Sequence, residues 1–164
     1  MVTRAITLVE FERFAETDDD RRFELIHGEV VEKLPTEEHG VVVARLVARL
    51  LLHVEAHDLG RVAVEARHRI PDDDHNSRIP DLVFTCKERL LPLTKKGSVP
   101  QMPDLAVEVQ SPGQSEKRMA DKADYYLQNG ARMVWLLYPQ KGIVEVLTAD
   151  DRKLLVETDM LDGG

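Results

Sequence analysis

The chain has very little cysteine and no long apolar run, and each absence excludes a class of protein. Cys86 is the single cysteine among 164 residues, which excludes an internal disulfide, and no Cys or His residues flank it at zinc-finger spacing. No stretch approaches the roughly 20 consecutive apolar residues that span a bilayer, and the first residues lack the apolar segment of a signal peptide. We therefore expect a cytoplasmic protein without a membrane partner.

The chain also lacks an excess of basic charge. Its formal net charge of -8 argues against a protein that coats nucleic acid non-specifically. The acidity is uneven, since residues 1–60 hold 7 Lys and Arg against 13 Asp and Glu, whereas residues 61–132 hold 12 against 11. The middle of the chain can form a basic rim that meets phosphates, and the alternative is ordinary solvated surface charge. The candidate rim residues are Arg61, Arg67, Arg69, Arg78, Lys95, Lys96, Lys117 and Arg118.

Length and hydrophobic periodicity predict one α/β domain over residues 1–164. A hydrophobic content of 43% supplies enough apolar material for one core. Thr7 can cap a short first helix, and a hairpin follows with His27-Gly28 as its two-residue turn. Thr36 then begins the longest helix, whose apolar residues repeat at three and four positions, and Gly60 supplies its expected end.

The second half of the chain alternates strands with one further helix. Ser115 can cap that helix, and Gly130 can end it. Because no repeats or low-complexity segments interrupt the pattern, we expect a mixed central sheet flanked by helices. The predicted strands are Val62–Ile70, Asp81–Thr85, Leu105–Val109, Met133–Tyr138 and Ile143–Thr148, with a strand-like segment from Leu154 to Thr158.

Two acidic residues, Asp81 and Glu108, stand on or beside apolar runs that indicate interior strands. A buried ionised carboxylate costs several kcal/mol unless it is paired, hydrogen-bonded or bound to a metal, so two converging acids suggest a cation. Mg²⁺ prefers carboxylate, carbonyl and water oxygens, and Val109 can offer a backbone carbonyl to the same ion. Asp104 shares the strand face of Glu108 but is better explained as a turn residue. In the alternative interpretation, the acids satisfy backbone donors or arginines.

Several segments together resemble the Uma-two family of restriction endonucleases, within the PD-(D/E)XK nuclease-like superfamily. The similarity covers nearly the whole chain and implies a restriction-endonuclease-like fold with an N-terminal helix and a β-hairpin. The matching segments are Phe23-Glu-Leu-Ile-His-Gly-Glu-Val-Val, Pro35-Thr-Glu-Glu-His, Pro80-Asp-Leu-Val, Leu105-Ala-Val-Glu-Val-Gln-Ser-Pro, Lys122-Ala-Asp-Tyr-Tyr with Gly130, and Val134-Trp-Leu-Leu-Tyr-Pro.

The resemblance implies a role for individual residues. Asp81 matches the aspartate of the Pro-Asp element, and Glu108 matches the acid of the Glu-x-Lys element. Gln110 occupies the place of the missing lysine, and Lys122 is the residue whose ammonium would substitute for it. Mg²⁺ or Mn²⁺ held by Asp81, Glu108 and the Val109 carbonyl would then support hydrolysis of phosphodiester bonds in nucleic acid, expected to be DNA.

For two further residues, Glu24 and His39, the sequence allows two interpretations each. Glu24 matches the acid of the family's opening hairpin, and it is either a third acidic ligand or water-orienting group, or an ordinary solvent-facing strand residue. His39, near the start of the long helix, can contact a phosphate or a metal-bound water, although a histidine at a helix start more often faces solvent.

The missing lysine and the acidic total charge also leave a second class of function open, a catalytically degenerate nuclease fold that binds nucleic acid or protein. We expect a homodimer, because exposed sheet edges invite pairing and cleavage of two strands needs two sites. The chain ends soon after its last strand-like segment, so a C-terminal truncation is a further expectation.

Overall fold

Apolar strands and three amphipathic helices make up most of residues 5–17 and 21–156, which are the residues that the computed structural model describes. Thr7 and Ser115 are the caps that the sequence predicted, and Thr36, predicted as the start of the longest helix, is also a cap. Each of the three accepts a backbone N–H with its side-chain oxygen. The elements are α1 (Leu8–Glu16), β1 (Arg22–Ile26), β2 (Glu29–Lys33), α2 (Glu37–Ala56), β3 (Gly60–Val64), β4 (Leu82–Cys86), β5 (Leu105–Val109), α3 (Glu116–Gln128), β6 (Met133–Tyr138), β7 (Ile143–Leu147) and β8 (Arg152–Val156).

Strands β3 to β8 form a mixed sheet in which, within the described residues, six strands lie in chain order. All neighbours are antiparallel except β5 and β6, which are parallel. Parallel neighbours need a crossover connection, and α3 provides it. The predicted mixed sheet flanked by helices is therefore confirmed.

The two faces of this sheet carry different helices. On one face, α2 packs against the sheet through residues at three- and four-residue spacing, including Val43, Leu46 and Leu50. On the other face, α3 packs beside Ala106, and because side chains alternate along a strand, Glu108 points to the α3 face as well. Glu108 is therefore buried in the layer between β5 and α3.

Strands β1 and β2 form a separate hairpin that is attached just ahead of β4. His27 and Gly28 both have positive φ, 50° and 80°, which is the conformation of a two-residue hairpin turn and confirms the predicted turn. Leu25 exchanges two backbone hydrogen bonds with Ser77, at 2.8 and 2.9 Å. This attachment brings Glu24, in the middle of β1, to the segment that leads to Asp81.

Two predicted boundaries are wrong by several residues, whereas β4 lies one residue beyond the predicted strand Asp81–Thr85 and β7 ends one residue before the predicted Thr148. Helix α2 ends at Ala56, so Gly60 does not end the helix but begins β3. The predicted strand Val62–Ile70 stops at Val64, because Glu65 adopts a left-handed φ of 49° that turns the chain out of the sheet. His68 is then buried against the following loop, and its Nδ1 lies 2.7 Å from the Gln101 carbonyl oxygen.

The buried His68 predicts an acid-sensitive fold. Burial lowers the pKa of His68, and the hydrogen bond to Gln101 only partly opposes this. Since the unfolded state then binds more protons below its pKa of about 6.5, the free energy of unfolding falls as the pH drops through that value, with a slope approaching about 1.4 kcal/mol per pH unit. Urea unfolding at pH 7, 6 and 5 should show a shallower slope for His68→Asn. Identical slopes in the two proteins would contradict the prediction.

Within the described residues, no helix is long and apolar enough to cross a bilayer. The strand-like segment predicted from Leu154 corresponds to β8, Arg152–Val156, and residues 157–164 lie outside the described part of the chain.

Candidate functional site

The predicted acids and Lys122 meet at one open cavity of about 240 Å³ between the hairpin, α2, β4, β5 and α3. Each of these elements contributes side chains to the cavity, either at its end or on the face that points to the cavity. Residues that are far apart in the sequence therefore come together. The cavity is lined, among others, by Glu24, Lys33, His39, Asp81, Glu108, Val109 and Lys122.

Asp81 directly precedes β4 and is 2% exposed. Its Oδ1 accepts a hydrogen bond from Lys33 Nζ at 2.6 Å, while its Oδ2 accepts the backbone N–H of Val109 at 2.7 Å and lies 2.9 Å from His39 Nε2. Burial alone would raise the pKa of Asp81, but His39 and the Lys33 ammonium outweigh it and hold the pKa well below its usual range. Asp81 is therefore an anion at neutral pH.

Glu108 lies inside β5 and is also 2% exposed. Its Oε1 accepts the Tyr126 hydroxyl at 2.6 Å, and its Oε2 accepts Lys122 Nζ at 2.9 Å. Burial and the nearby charge of Asp81 raise the pKa of Glu108, and the Lys122 ammonium opposes this rise. Because both of its oxygens accept hydrogen bonds, the geometry fits the ionised carboxylate.

Glu24 is 1% exposed, so its interpretation as a solvent-facing strand residue is wrong. Its Oε1 accepts the backbone N–H of Ile79 at 2.9 Å, and its Oε2 lies 3.3 Å from Lys122 Nζ. Burial raises the pKa of Glu24, but Lys122, Lys33 and the Ile79 N–H lower it below its ordinary value. Glu24 is thus a third buried carboxylate at the same centre.

Lys122 projects from α3 between two carboxylates and is 5% exposed, so it is not an exposed helix lysine. Burial would lower its pKa, but the charges of Glu108 and Glu24 raise it above the usual value. Lys122 is therefore protonated at neutral pH. It carries a positive charge and has no free lone pair with which to act as a base.

Two other residues of the predicted motif do not act through their side chains in the cavity. The Gln110 amide donates to the Gln114 carbonyl at 2.7 Å, so it fixes the loop after β5, and its side chain is not among those that line the cavity. Val109 contributes its backbone, and since its N–H points to Asp81, its carbonyl lies on the same side of the strand. Asp104 belongs elsewhere, as expected, because it accepts hydrogen bonds from Cys86 N–H and Arg89.

Neither Lys33 nor Tyr126 was singled out as a site residue from the sequence. Both had a detectable signal. Lys33 is two residues from Val31, the partner of Glu24 in the hairpin, so Lys33 and Glu24 share one face. Tyr126 lies four residues after Lys122 and therefore on the same face of α3. His39, which was expected to face solvent or a ligand, instead holds Asp81 from the first turn of α2.

Only part of the predicted basic rim adjoins the cavity. Arg118 lines the cavity and is exposed, which suits a contact with phosphate. Arg78 is 4% exposed and stacks on the Tyr125 ring, with its guanidinium carbon 4.5 Å from the ring centre. It is therefore an internal residue rather than a member of a rim.

The donor set at the cavity fits a hard divalent cation. Within residues 5–17 and 21–156, no group of three His, Cys, Asp or Glu residues is arranged to hold a metal alone. Mg²⁺ does not require such a group, because it is commonly bound by one or two carboxylates with waters and substrate phosphates. Asp81 and Glu108 supply these carboxylates on one cavity, and the lysines that pair with them show that the centre already accommodates positive charge.

A mixed sheet with helices on both faces, and with acids at adjacent strands, is the architecture expected of a restriction-endonuclease-like fold. Residues 8–164 match the model of the Uma2 family, described as "Putative restriction endonuclease", and the chain belongs to this family. In three dimensions the chain is similar to a crystal structure from Anabaena variabilis titled as a putative nuclease of DUF820, with a TM-score of 0.81 and 24% identity over 97% of this chain and 89% of that one. No curated protein is similar enough to count as a match.

Proposed function

We propose that this protein is a metal-dependent nuclease that hydrolyses phosphodiester bonds of DNA. The observation that carries the proposal is the convergence of three buried carboxylates, Glu24, Asp81 and Glu108, on one open cavity with Lys122 between two of them. Membership of a family described as restriction endonucleases supports the same reaction.

Asp81 and Glu108, with the Val109 carbonyl, would hold Mg²⁺ or Mn²⁺. When bound, such an ion polarises the scissile phosphate and lowers the pKa of a water. Lys122 fixes the positions of Glu24 and Glu108 and lends positive charge to the cavity. His39 holds the Asp81 carboxylate from the other side. Arg118 at the cavity would contact the DNA backbone, which positions the duplex without reading its sequence.

Cleavage of supercoiled plasmid with Mg²⁺ or Mn²⁺ tests the proposal. Glu108→Gln and Asp81→Asn keep the shape of each side chain and remove its charge, and we expect each to lower the cleavage rate about 100-fold or more, as losses of single electrostatic groups do. Glu88→Gln removes an exposed acid away from the cavity and should cleave like the wild type. A divalent ion should raise the melting temperature of the wild type and of Glu88→Gln only.

Equal cleavage by all four proteins would show that the carboxylates of the cavity do not carry the reaction and would refute the proposal. One observation favours the second candidate, a degenerate nuclease fold that binds nucleic acid or protein without cleaving it. Each oxygen of Asp81 and Glu108 already has a protein partner, as expected of a charge network that only stabilises the fold. DNA binding without cleavage and without a divalent-ion effect would support that candidate. A homodimer and a cytoplasmic location stay predictions.

A further inference from the structure

The second lysine that lines the cavity, Lys33, has no role in the function proposed above. It is the last residue of β2, and its ammonium spans two acceptors, Asp81 Oδ1 at 2.6 Å and the Ile79 carbonyl oxygen at 2.8 Å. Both acceptors belong to the short segment that leads into β4. Lys33 therefore places a positive charge directly on the carboxylate that would bind the divalent ion.

We propose that Lys33 is a resident counter-cation of Asp81 which a divalent ion must displace, so that Lys33 sets the affinity of the site for that ion. The inference rests on the proposed metal site at Asp81 and Glu108. A lysine ammonium is a compact charge on a flexible stem, and it can leave one acceptor for another at little conformational cost.

The two lysines of the cavity differ in how firmly they are held. Lys122 lies between two carboxylates, and its side chain is 5% exposed. Lys33 contacts one carboxylate, and its side chain is 12% exposed. The hairpin that carries Lys33 is a two-stranded sheet apart from the central sheet. Lys33 is therefore the lysine that can move aside while Lys122 keeps Glu24 and Glu108 in place.

The net charge of the cavity changes sign when a divalent ion displaces Lys33 from Asp81. Apart from His39, the charged groups that line the cavity leave one net negative charge, which repels a phosphate anion. They are four acids and three cations, namely Glu24, Glu32, Asp81, Glu108, Lys33, Lys122 and Arg118. A divalent ion brings the same groups to one net positive charge. If Lys33 stays in the cavity after it leaves Asp81, its ammonium is free to pair with a phosphate oxygen. Anion binding should therefore depend on the ion.

Calorimetric titration of the full chain with Mn²⁺ alone tests the proposal without any measurement of activity. Lys33→Met and Lys33→Gln remove the competitor, and the glutamine keeps a donor for the Ile79 carbonyl. Because Lys33 and the ion compete for one carboxylate, and couplings between interacting sites are about 5- to 150-fold, we expect both variants to bind Mn²⁺ roughly tenfold more tightly. Lys153→Met removes an exposed lysine of β8 that does not line the cavity, and it should leave the affinity unchanged.

The outcomes separate this proposal from the one on which it rests. Tighter Mn²⁺ binding by either Lys33 variant supports the exchange, even if the wild type binds too weakly to measure. Mn²⁺ binding that is equal in the wild type and in both folded variants overturns the exchange and leaves the metal site intact. Absence of binding in all proteins overturns both proposals. As a second measurement, acylation of Lys33, followed by mass spectrometry, should increase when Mg²⁺ is added, and unchanged labelling would contradict the exchange.

Discussion

Replacing Lys122 with methionine is expected to lower the free energy of unfolding by about 3–5 kcal/mol, the usual cost of removing one partner from a buried charge pair. The Lys122 ammonium lies 2.9 Å from Glu108 Oε2 and 3.3 Å from Glu24 Oε2, and all three side chains are almost fully buried. Methionine fills a similar volume but leaves two carboxylates without their main compensating charge. Urea denaturation followed by circular dichroism measures the loss.

A double variant separates the charge effect from loss of packing. In Lys122→Met combined with Glu108→Gln, one of the two uncompensated charges is gone, so we expect the double variant to recover about 1–3 kcal/mol relative to the sum of the single changes. Lys117→Met is the matched control, because Lys117 is exposed on the same helix and its replacement should change stability by less than about 0.5 kcal/mol. A Lys122 variant as stable as this control would refute the buried network.

The acids of the site were predictable from the sequence because their surroundings conflict with their charge. Asp81 and Glu108 stand beside strands that are apolar on both faces, and a polar residue within such a run has few structural explanations. The structure places both at one cavity and confirms the strand Leu105–Val109 to the residue. Local pattern thus located these two acids and the strands beside them.

The cationic side of the site was harder to predict, because it depends on how separate elements are arranged in space. Lys33 ends an amphipathic hairpin, and its position beside Asp81 follows from the pairing of Leu25 with Ser77, a contact between distant segments. Nothing in the alternation of β2 indicates that pairing. His39 likewise reaches Asp81 only because α2 begins at the cavity. A lysine or histidine has many ordinary surface explanations, whereas a buried acid has few.

The failed strand Val62–Ile70 shows a limit of period-two patterns. Alternation continues past Val64, but the chain leaves the sheet at Glu65, whose φ of 49° is uncommon for a residue other than glycine. The reason lies in tertiary contacts, because His68 forms isolated β-bridges with Arg78 and with Val99. Arg78 belongs to the loop ahead of β4 and Val99 to the connection after it, and these two segments hold His68 away from the sheet. A local pattern carries no information about such partners.

Gly60 was predicted to end the long helix but instead begins β3. Gly60→Ala gives the second large expected effect, a fall of about 2–5 kcal/mol in the free energy of unfolding. Gly60 begins β3 with φ 151°, where an L side chain is strained, and a Cβ there would lie 2.1 Å from the Thr85 carbonyl oxygen. It would also lie 2.9 Å from Cys86 Cα, so the obstructing atoms are backbone that cannot rotate away. Strain of about 1–2 kcal/mol adds to overpacking of about 1–3 kcal/mol.

Gly40→Ala is the matched control for this substitution, since it adds the same methyl group with the opposite expected sign. Gly40 lies in α2, and a Cβ there meets no atom within 4 Å. Alanine in a helix is favoured over glycine by about 0.8–1.0 kcal/mol, so this variant should unfold at a higher urea concentration than the wild type. If Gly60→Ala also matched or exceeded the wild type, Gly60 would not be needed to bring β3 against β4, and the pairing of Gly60 with Cys86 would be wrong.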